Sequence, residues 1–89
     1  MKEWSLYIIE AENGKLYTGI TKNLKRRLEQ HKNLKGAKFF RTTPPKVVRY
    51  LKKNLLHSYA LKLEYQVKKL SKIDKLLFIN GKLKIRIKK

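Results

Sequence analysis

The spacing of apolar residues changes character along the chain and sets out an order of elements. Trp4 to Ile9 is a run of aromatic and β-branched residues, Asn13-Gly14 is a turn signal, and Lys15 to Ile20 resumes the strand-like run. This predicts a β-hairpin closed by the polar loop Glu10 to Gly14. Tyr7 and Tyr17 then lie on neighbouring strands and share a face if the register allows it. Leu24, Leu28, His31 and Leu34 follow at helical spacing behind Thr21 or Asn23 as candidate N-caps, and Gly36 ends the helix. At roughly 100° per residue, Arg27 falls roughly 60° from Leu24, so Arg27 and His31 both intrude on the apolar stripe.

Gly36 to Pro45 reads as an exposed, turn-rich connection carrying Lys38, Phe39, Phe40 and Arg41, because Pro44-Pro45 blocks both a helix and a central strand. Lys46 to Leu51 predicts a third strand, with Val47 and Val48 suited to a sheet covered on both faces. Leu56, Ala60, Leu63, Val67 and Leu70 then recur at intervals of four and three, the stripe of a core-facing helix capped by His57 or Ser58. Glu64 falls roughly 80° from the centre of that stripe, at its border, where a carboxylate can look into a cleft. Ser71 to Asp74 resembles a capping box with Asp in place of Glu and opens a short helix through Leu76, Leu77 and Ile79. Gly81 to Lys89 alternates Leu83, Ile85 and Ile87 with cations, as either an added edge strand or a basic tail. The expected fold class is α/β in the α+β sense: a small, three-stranded, mainly antiparallel sheet flanked by helices. One domain spans residues 1–80, with 81–89 as the appended segment.

Composition narrows the partners. The chain has 89 residues, enough for one compact domain, which at this size buries only roughly 60% of its unfolded surface. Lysine and arginine number 24 against 6 aspartates and glutamates, a formal net charge of +18. Such an imbalance opposes compaction unless an anion neutralises it, and polyphosphate is the natural partner. The cations are spread along the whole chain rather than on one long amphipathic face, which favours nucleic acid over a membrane. No stretch approaches the ~18 apolar residues of a spanning helix, and the N-terminus lacks the apolar core of a secretory signal, so the expected location is cytoplasmic. The absence of cysteine removes disulfides, thiolate zinc sites and thiol nucleophiles together. Two histidines, His31 and His57, are too few for a histidine zinc site. A metal here should be a hard ion held through oxygen and water.

Short motifs then fall in a suggestive order. Ser5-Leu6-Tyr7, Tyr17-Thr18-Gly19, Asn23 to Leu28 carrying Arg27, and Ala60 to Lys68 carrying Glu64 follow one another on strand, strand, helix and helix. Together they resemble the GIY-YIG nuclease domain. Leu16 to Thr21, Lys35-Gly36-Ala37-Lys38 and Lys69-Leu70-Ser71 resemble, more narrowly, the small stand-alone bacterial proteins built from that domain alone, relatives of the nuclease module of the excision-repair incision subunit. Two positions depart from the pattern. Ser5 stands where the family has glycine, and Ile20 where some active members carry a lysine, with Lys22 nearby as a partial replacement.

The resemblance implies a metal-dependent endonuclease hydrolysing phosphodiester bonds in DNA, with a link to DNA repair. A tyrosine, Tyr7 or Tyr17, would take the proton of the attacking water. Arg27 would hold the scissile phosphate through its fixed fork of donors. His31 would orient phosphate or shuttle a proton near neutrality. Glu64, the sole acidic residue between Gln30 and Ile73, would bind Mg²⁺ or Mn²⁺. A tyrosine base needs positive charge to favour the phenolate, and the +18 domain offers it. Gly19 would let phosphate approach closely. Lys22, Lys35, Lys38, Arg41, Lys46 and Arg49 would track the nucleic-acid backbone, with Phe39, Phe40 and Tyr50 stacking bases.

Each residue also has a plainer reading: strand aromatics with one wet edge, a snorkelling arginine, a core or capping histidine, a strand-end glycine, a Glu64–Lys68 surface pair, and solvated lysines over a small core. At the level of the whole chain the alternatives are a nucleic-acid-binding protein that keeps the nuclease fold with little turnover, and a basic accessory protein that binds RNA or a ribonucleoprotein through charge alone.

Overall fold

The computed structural model describes residues 1–33 and 35–87. Leu34 of the predicted helical stripe, and Lys88 and Lys89 of the basic segment, lie outside the described residues. The elements in chain order are β1 (Trp4–Ala11), β2 (Leu16–Thr21), α1 (Leu24–Lys32), α2 (Phe39–Thr42), β3 (Pro45–Leu55), α3 (His57–Lys68) and α4 (Lys72–Ile79). The sheet has the order β2-β1-β3, and both pairings are antiparallel. The fold is therefore a three-stranded antiparallel sheet with helices on both faces, the α+β architecture that the sequence predicts.

The central strand explains the two-sided core. Leu6, Tyr7, Ile8 and Ile9 are all buried, and because successive strand residues point to opposite faces, they feed two clusters. Leu6 and Ile8 pack with Leu55, with Ala60, Leu63 and Val67 of α3, and with Phe78 of α4. Tyr7, Ile9 and Ala11 pack with Phe40 of α2 and, beyond it, with Leu24 and Leu28 of α1. β2 is an edge strand, so a residue on β1 that faces α1 can reach past β2 to solvent only where β2 offers room.

Local chemistry sets the helix starts. The side chain of Asn23 accepts from the backbone N–H of Arg26 at 3.0 Å, and Ser71 accepts from that of Asp74 at 3.1 Å. Each satisfies one of the unpaired donors at a helix start. α3 differs from expectation: its N-cap is Leu56, with no side-chain cap, because His57 is committed to a stack against Trp4.

Two further expectations need correction, and one of the two alternatives for the C-terminal segment falls away. β3 runs through Asn54 to Leu55 rather than stopping at Leu51, and it is an edge strand exposed along much of its length, with Val47 38% exposed. An edge strand needs no alternation of apolar residues, which is why its second half is polar. The connection after Gly36 contains the one-turn helix α2, whose Phe40 is buried. Residues 83–87 form no strand; Leu83, Ile85 and Ile87 instead pack against the α3-side cluster.

Removal of either cap, Asn23→Ala or Ser71→Ala, should cost about 1 kcal/mol, a fall of about 4–8 °C in melting temperature for a domain of this size. Thermal unfolding followed by circular dichroism reads this directly, and unchanged melting in both variants would remove the caps from the account.

Candidate active site

The candidate site is organised around Tyr7. This residue sits in mid-β1 and is 1% exposed, and its hydroxyl lies 3.0 Å from Nε2 of His31, which is 0% exposed. The register places Gly19 of β2 directly opposite Tyr7. A Cβ built on Gly19 would stand 2.5 Å from the Tyr7 hydroxyl oxygen and 2.7 Å from its Cζ. The tyrosine ring thus lies over the glycine of the edge strand, with its hydroxyl still buried against His31. The bare face of Gly19 is filled by this ring rather than by an approaching phosphate, a different reason for the glycine from the one the motif suggested. Gly36 does the same for the imidazole, since a Cβ there would run into Nδ1 of His31.

Around this pair the aromatic rings form a closed wall. The Tyr17 ring is 6.2 Å from Tyr7 and 5.5 Å, edge-on, from His31; the Phe40 ring is 4.4 Å from His31 and 5.0 Å from Tyr17. Phe40 is therefore core, and Tyr50 packs on Phe78 in the opposite cluster at 4.8 Å, so neither is available to stack a base as expected. Phe39 covers the outside of Tyr17.

Charged groups on helices at opposite faces of the sheet act on the Tyr7 phenol. Arg27, half-buried on α1, donates through Nη1 to Gln30 Oε1 at 2.9 Å. Glu64 comes from α3, which packs on β1 and β2. Burial pushes the Tyr7 phenol up from 10.0 to about 12; the adjacent Arg27 guanidinium pulls it down, while Tyr17 and Glu64 push it further up. Burial, reinforced by Arg27, lowers His31 from 6.5 to about 4. Tyr17, Arg27, His31 and Glu64 thus all come within electrostatic or van der Waals reach of Tyr7.

Two consequences differ from the sequence-based picture. The positive charge of the chain does not make Tyr7 acidic, because a dry surrounding outweighs one nearby guanidinium. His31 neither touches solvent nor titrates near neutrality, so it positions Tyr7 rather than contacting phosphate. A neutral imidazole carries one proton, and among the described residues its buried Nδ1 has no partner. Leaving an acceptor unpaired costs less than burying a lone N–H. The favoured tautomer therefore keeps the proton on Nε2, donates to the Tyr7 oxygen, and turns the phenolic O–H away from the imidazole.

A cleft of about 510 Å³ wraps the edge of β2, lined among others by Trp4, Ile20, Lys22, Arg26, Arg27 and Gln30. Sequence reasoning missed Trp4, Arg26 and Gln30; the single tryptophan next to a strand motif was the available signal. Lys22 lines the cleft, 3.7 Å from Glu3 and over Trp4, and it is not among the groups that act on the Tyr7 phenol, so it does not supply there the charge missing at Ile20. Lys35, Lys38 and Arg41 are exposed between α1 and β3. Arg49 donates to Glu10 at 2.8 Å, and together with Lys46 it holds the Glu10 carboxyl below its usual range. These two cations gather at the hairpin end of the sheet.

The donor set near Tyr7 limits which metal would fit. Among the described residues no three His, Cys, Asp or Glu side chains come together. Glu64 by itself fits a hard divalent ion that completes its shell with water and phosphate oxygens. Its carboxylate is paired with Lys68 at 3.3 Å, an i,i+4 contact worth a few tenths of a kcal/mol that a divalent ion would displace.

Fold and cluster together define the class: the chain belongs to the GIY-YIG catalytic domain family, a nuclease family, whose model matches residues 3–76. Its relatives include a UPF0213 protein encoded in the VLF1-GP41 intergenic region of Autographa californica nuclear polyhedrosis virus. That protein is 45% identical over 83 residues, covering 91% of this chain and 80% of the relative. A UPF0213 protein of Photorhabdus laumondii is 47% identical over 73 residues, 82% of this chain and 70% of that one. The solution structure of a UPF0213 protein from Bacillus halodurans superposes with a TM-score of 0.58 at 33% identity, over 89% of this chain and 84% of the other. The likeness thus reaches from bacteria to an insect virus. Among the described residues no helix is long and apolar enough to cross a membrane.

The depressed His31 pKa ties stability to acid. Above pH 6.5 the imidazole is neutral in both folded and unfolded chains. Between pH 6.5 and about 4 only the unfolded chain takes up the proton, so the native state should lose on the order of 3 kcal/mol across that window. Urea unfolding of the native chain and of His31→Gln at several pH values isolates the effect. Parallel stability profiles for the two would contradict a buried neutral imidazole.

Proposed function

We propose that the chain is a metal-dependent endonuclease that hydrolyses phosphodiester bonds in DNA, with branched or damaged DNA as the first substrates to try. The observation that carries this reading is the Tyr7 hydroxyl held by His31 beside the Arg27 guanidinium, which itself lines a cationic cleft, with the isolated Glu64 carboxylate near enough to act on the charge of the phenol. Three chemical needs of phosphodiester hydrolysis correspond to these groups: a proton acceptor for water, charge on the phosphoryl oxygens, and a fixed alignment of the reacting atoms.

Arg27 binds a phosphate of the strand in the cleft, where its planar fork meets two oxygens at once. Arg26 and Lys22 add charge along the same backbone, and Lys35, Lys38, Arg41 and Lys46 extend the track for flanking phosphates; Arg49 joins it by exchanging Glu10 for phosphate. Tyr7, held by His31, takes a proton from the attacking water as the phenolate. The resulting hydroxide attacks phosphorus, and the bond to the leaving sugar oxygen breaks. Burial makes the phenolate a minor species in the free protein, and Arg27 is the group on the chain that favours it. Tyr17 closes the aromatic wall beside the hydroxyl and keeps water from the Tyr7–His31 bond. Glu64 would hold a hydrated Mg²⁺ or Mn²⁺, which when bound would supply positive charge to the phosphoryl oxygens and to the neighbouring phenol.

A second reading, a binding protein with weak or no turnover, is favoured by the pairing of Glu64 with Lys68 and by the raised Tyr7 pKa. Cleavage separates the two. With Mg²⁺ or Mn²⁺ and a panel of duplex, single-stranded, flap and junction DNA, the native chain should cut and Glu64→Gln should not, while the variant's affinity for the same DNA stays near native. Residual cutting by Glu64→Gln equal to native would remove the carboxylate from the chemistry, and no cutting by the native chain on any substrate would favour the binding protein. Arg27→Ala should lower turnover roughly 10²-fold or more, as expected for a clamp that tightens in the transition state. A loss confined to thermal stability would assign the arginine a structural part instead.

A further inference from the structure

Trp4, the only tryptophan in the chain, occupies a place that the hydrolytic chemistry does not use. It opens β1, packs in part against the Leu6–α3 cluster, and still lines the cleft that holds Lys22, Arg26 and Arg27. His57, the first residue of α3, lies flat against the indole, with ring centroids 4.2 Å apart and planes 19° from parallel. With one face so covered, the indole also carries the Lys22 ammonium, 5.7 Å from its centroid. Lys22 is lightly held there. Its other partner is Glu3 at 3.7 Å, and both side chains are well exposed, the kind of pair that contributes little and exchanges readily.

A supported aromatic face beside two guanidiniums matches a ligand with both a flat ring and an adjoining phosphate. We propose that Trp4, backed by His57, is a nucleobase platform: an unpaired base next to the phosphate held by Arg26 and Arg27 stacks on the indole in place of the Lys22 ammonium. Lys22 then turns to the neighbouring phosphate, so its interaction with the ring is replaced rather than lost. Paired bases within a duplex have both faces covered by their neighbours. The platform therefore takes a base from a single strand, a strand end or a distorted junction, and takes any of the bases, since each has a π face. The inference rests on the proposed nuclease reading only for the presence of a phosphate at Arg27.

Because the chain has one tryptophan, emission excited beyond the tyrosine absorption reports on Trp4 alone. The native chain, with chelator present so that nothing is cut, is titrated with a short single strand of DNA and with an abasic strand of the same length and charge. Binding is followed separately by the anisotropy of a label on the strand. The base-bearing strand should quench Trp4 as it binds, and the abasic strand should bind roughly 5- to 100-fold more weakly with little quenching at saturation. Trp4→Leu should bring the base-bearing strand down to the abasic affinity without changing the abasic affinity itself, which also shows that the variant is folded, and Trp4→Phe should recover part of the difference. Equal quenching and equal affinity for the two strands, a saturated base-bearing strand without quenching, or failure of both strands to bind would overturn the platform. Its failure is distinct from that of the nuclease reading: cleavage that depends on Glu64 can persist without base stacking, and base-dependent quenching can persist in a chain that never cuts.

Discussion

The hydrogen bond between the Tyr7 hydroxyl and His31 Nε2 is the constraint on which the site depends. It is made inside the core, where unpaired polar groups are costly, so both partners are held in place and both are neutral in the free protein. Their neighbours follow from that requirement. Gly19 leaves room for the tyrosine ring across the edge strand, Gly36 leaves room behind the imidazole, and Tyr17 and Phe40 close the sides. The result is a buried phenol on whose charge Arg27 acts from one face of the sheet and Glu64 from the other.

That arrangement resolves how a very basic domain places its few functional groups. A net charge of +18 sets the class of partner but not the chemistry at any one atom. At Tyr7, desolvation dominates over the surrounding lysines, most of which project into water where their field is screened. Charge acts on the site where geometry brings it close, at Arg27, while Arg49 and Lys22 are partly engaged by Glu10 and Glu3. The cleft along β2 gathers Lys22, Arg26 and Arg27 beside the one tryptophan, so the proposed recognition and the proposed chemistry share the same sheet edge.

Much of this was legible in the residues, for identifiable reasons. The hairpin, the Asn23 and Ser71 caps and the α3 stripe are local signals, in which a few neighbouring side chains decide the backbone. The single turn of α2 was not legible, because Phe39–Thr42 has no helical repeat and forms where Phe40 fills the gap beside His31. The second half of β3 was hidden by its exposure, which frees an edge strand from apolar alternation. His31 and Gly19 were singled out for chemistry, but their partnership with Tyr7 depends on register and on helix placement, which spacing alone does not give. For Glu64 the plain and the functional descriptions coexist: it pairs with Lys68 and also lies close enough to Tyr7 to raise its pKa.

The most direct measurement is a crystal structure of the Glu64→Gln chain bound to a short DNA strand. A phosphate held by the Arg27 guanidinium and lying within hydrogen-bonding distance of the Tyr7 hydroxyl, with the Tyr7–His31 bond intact, is the predicted result. A strand bound elsewhere on the surface, leaving Arg27 on Gln30 and the Tyr7 oxygen without any phosphate near it, would contradict the account.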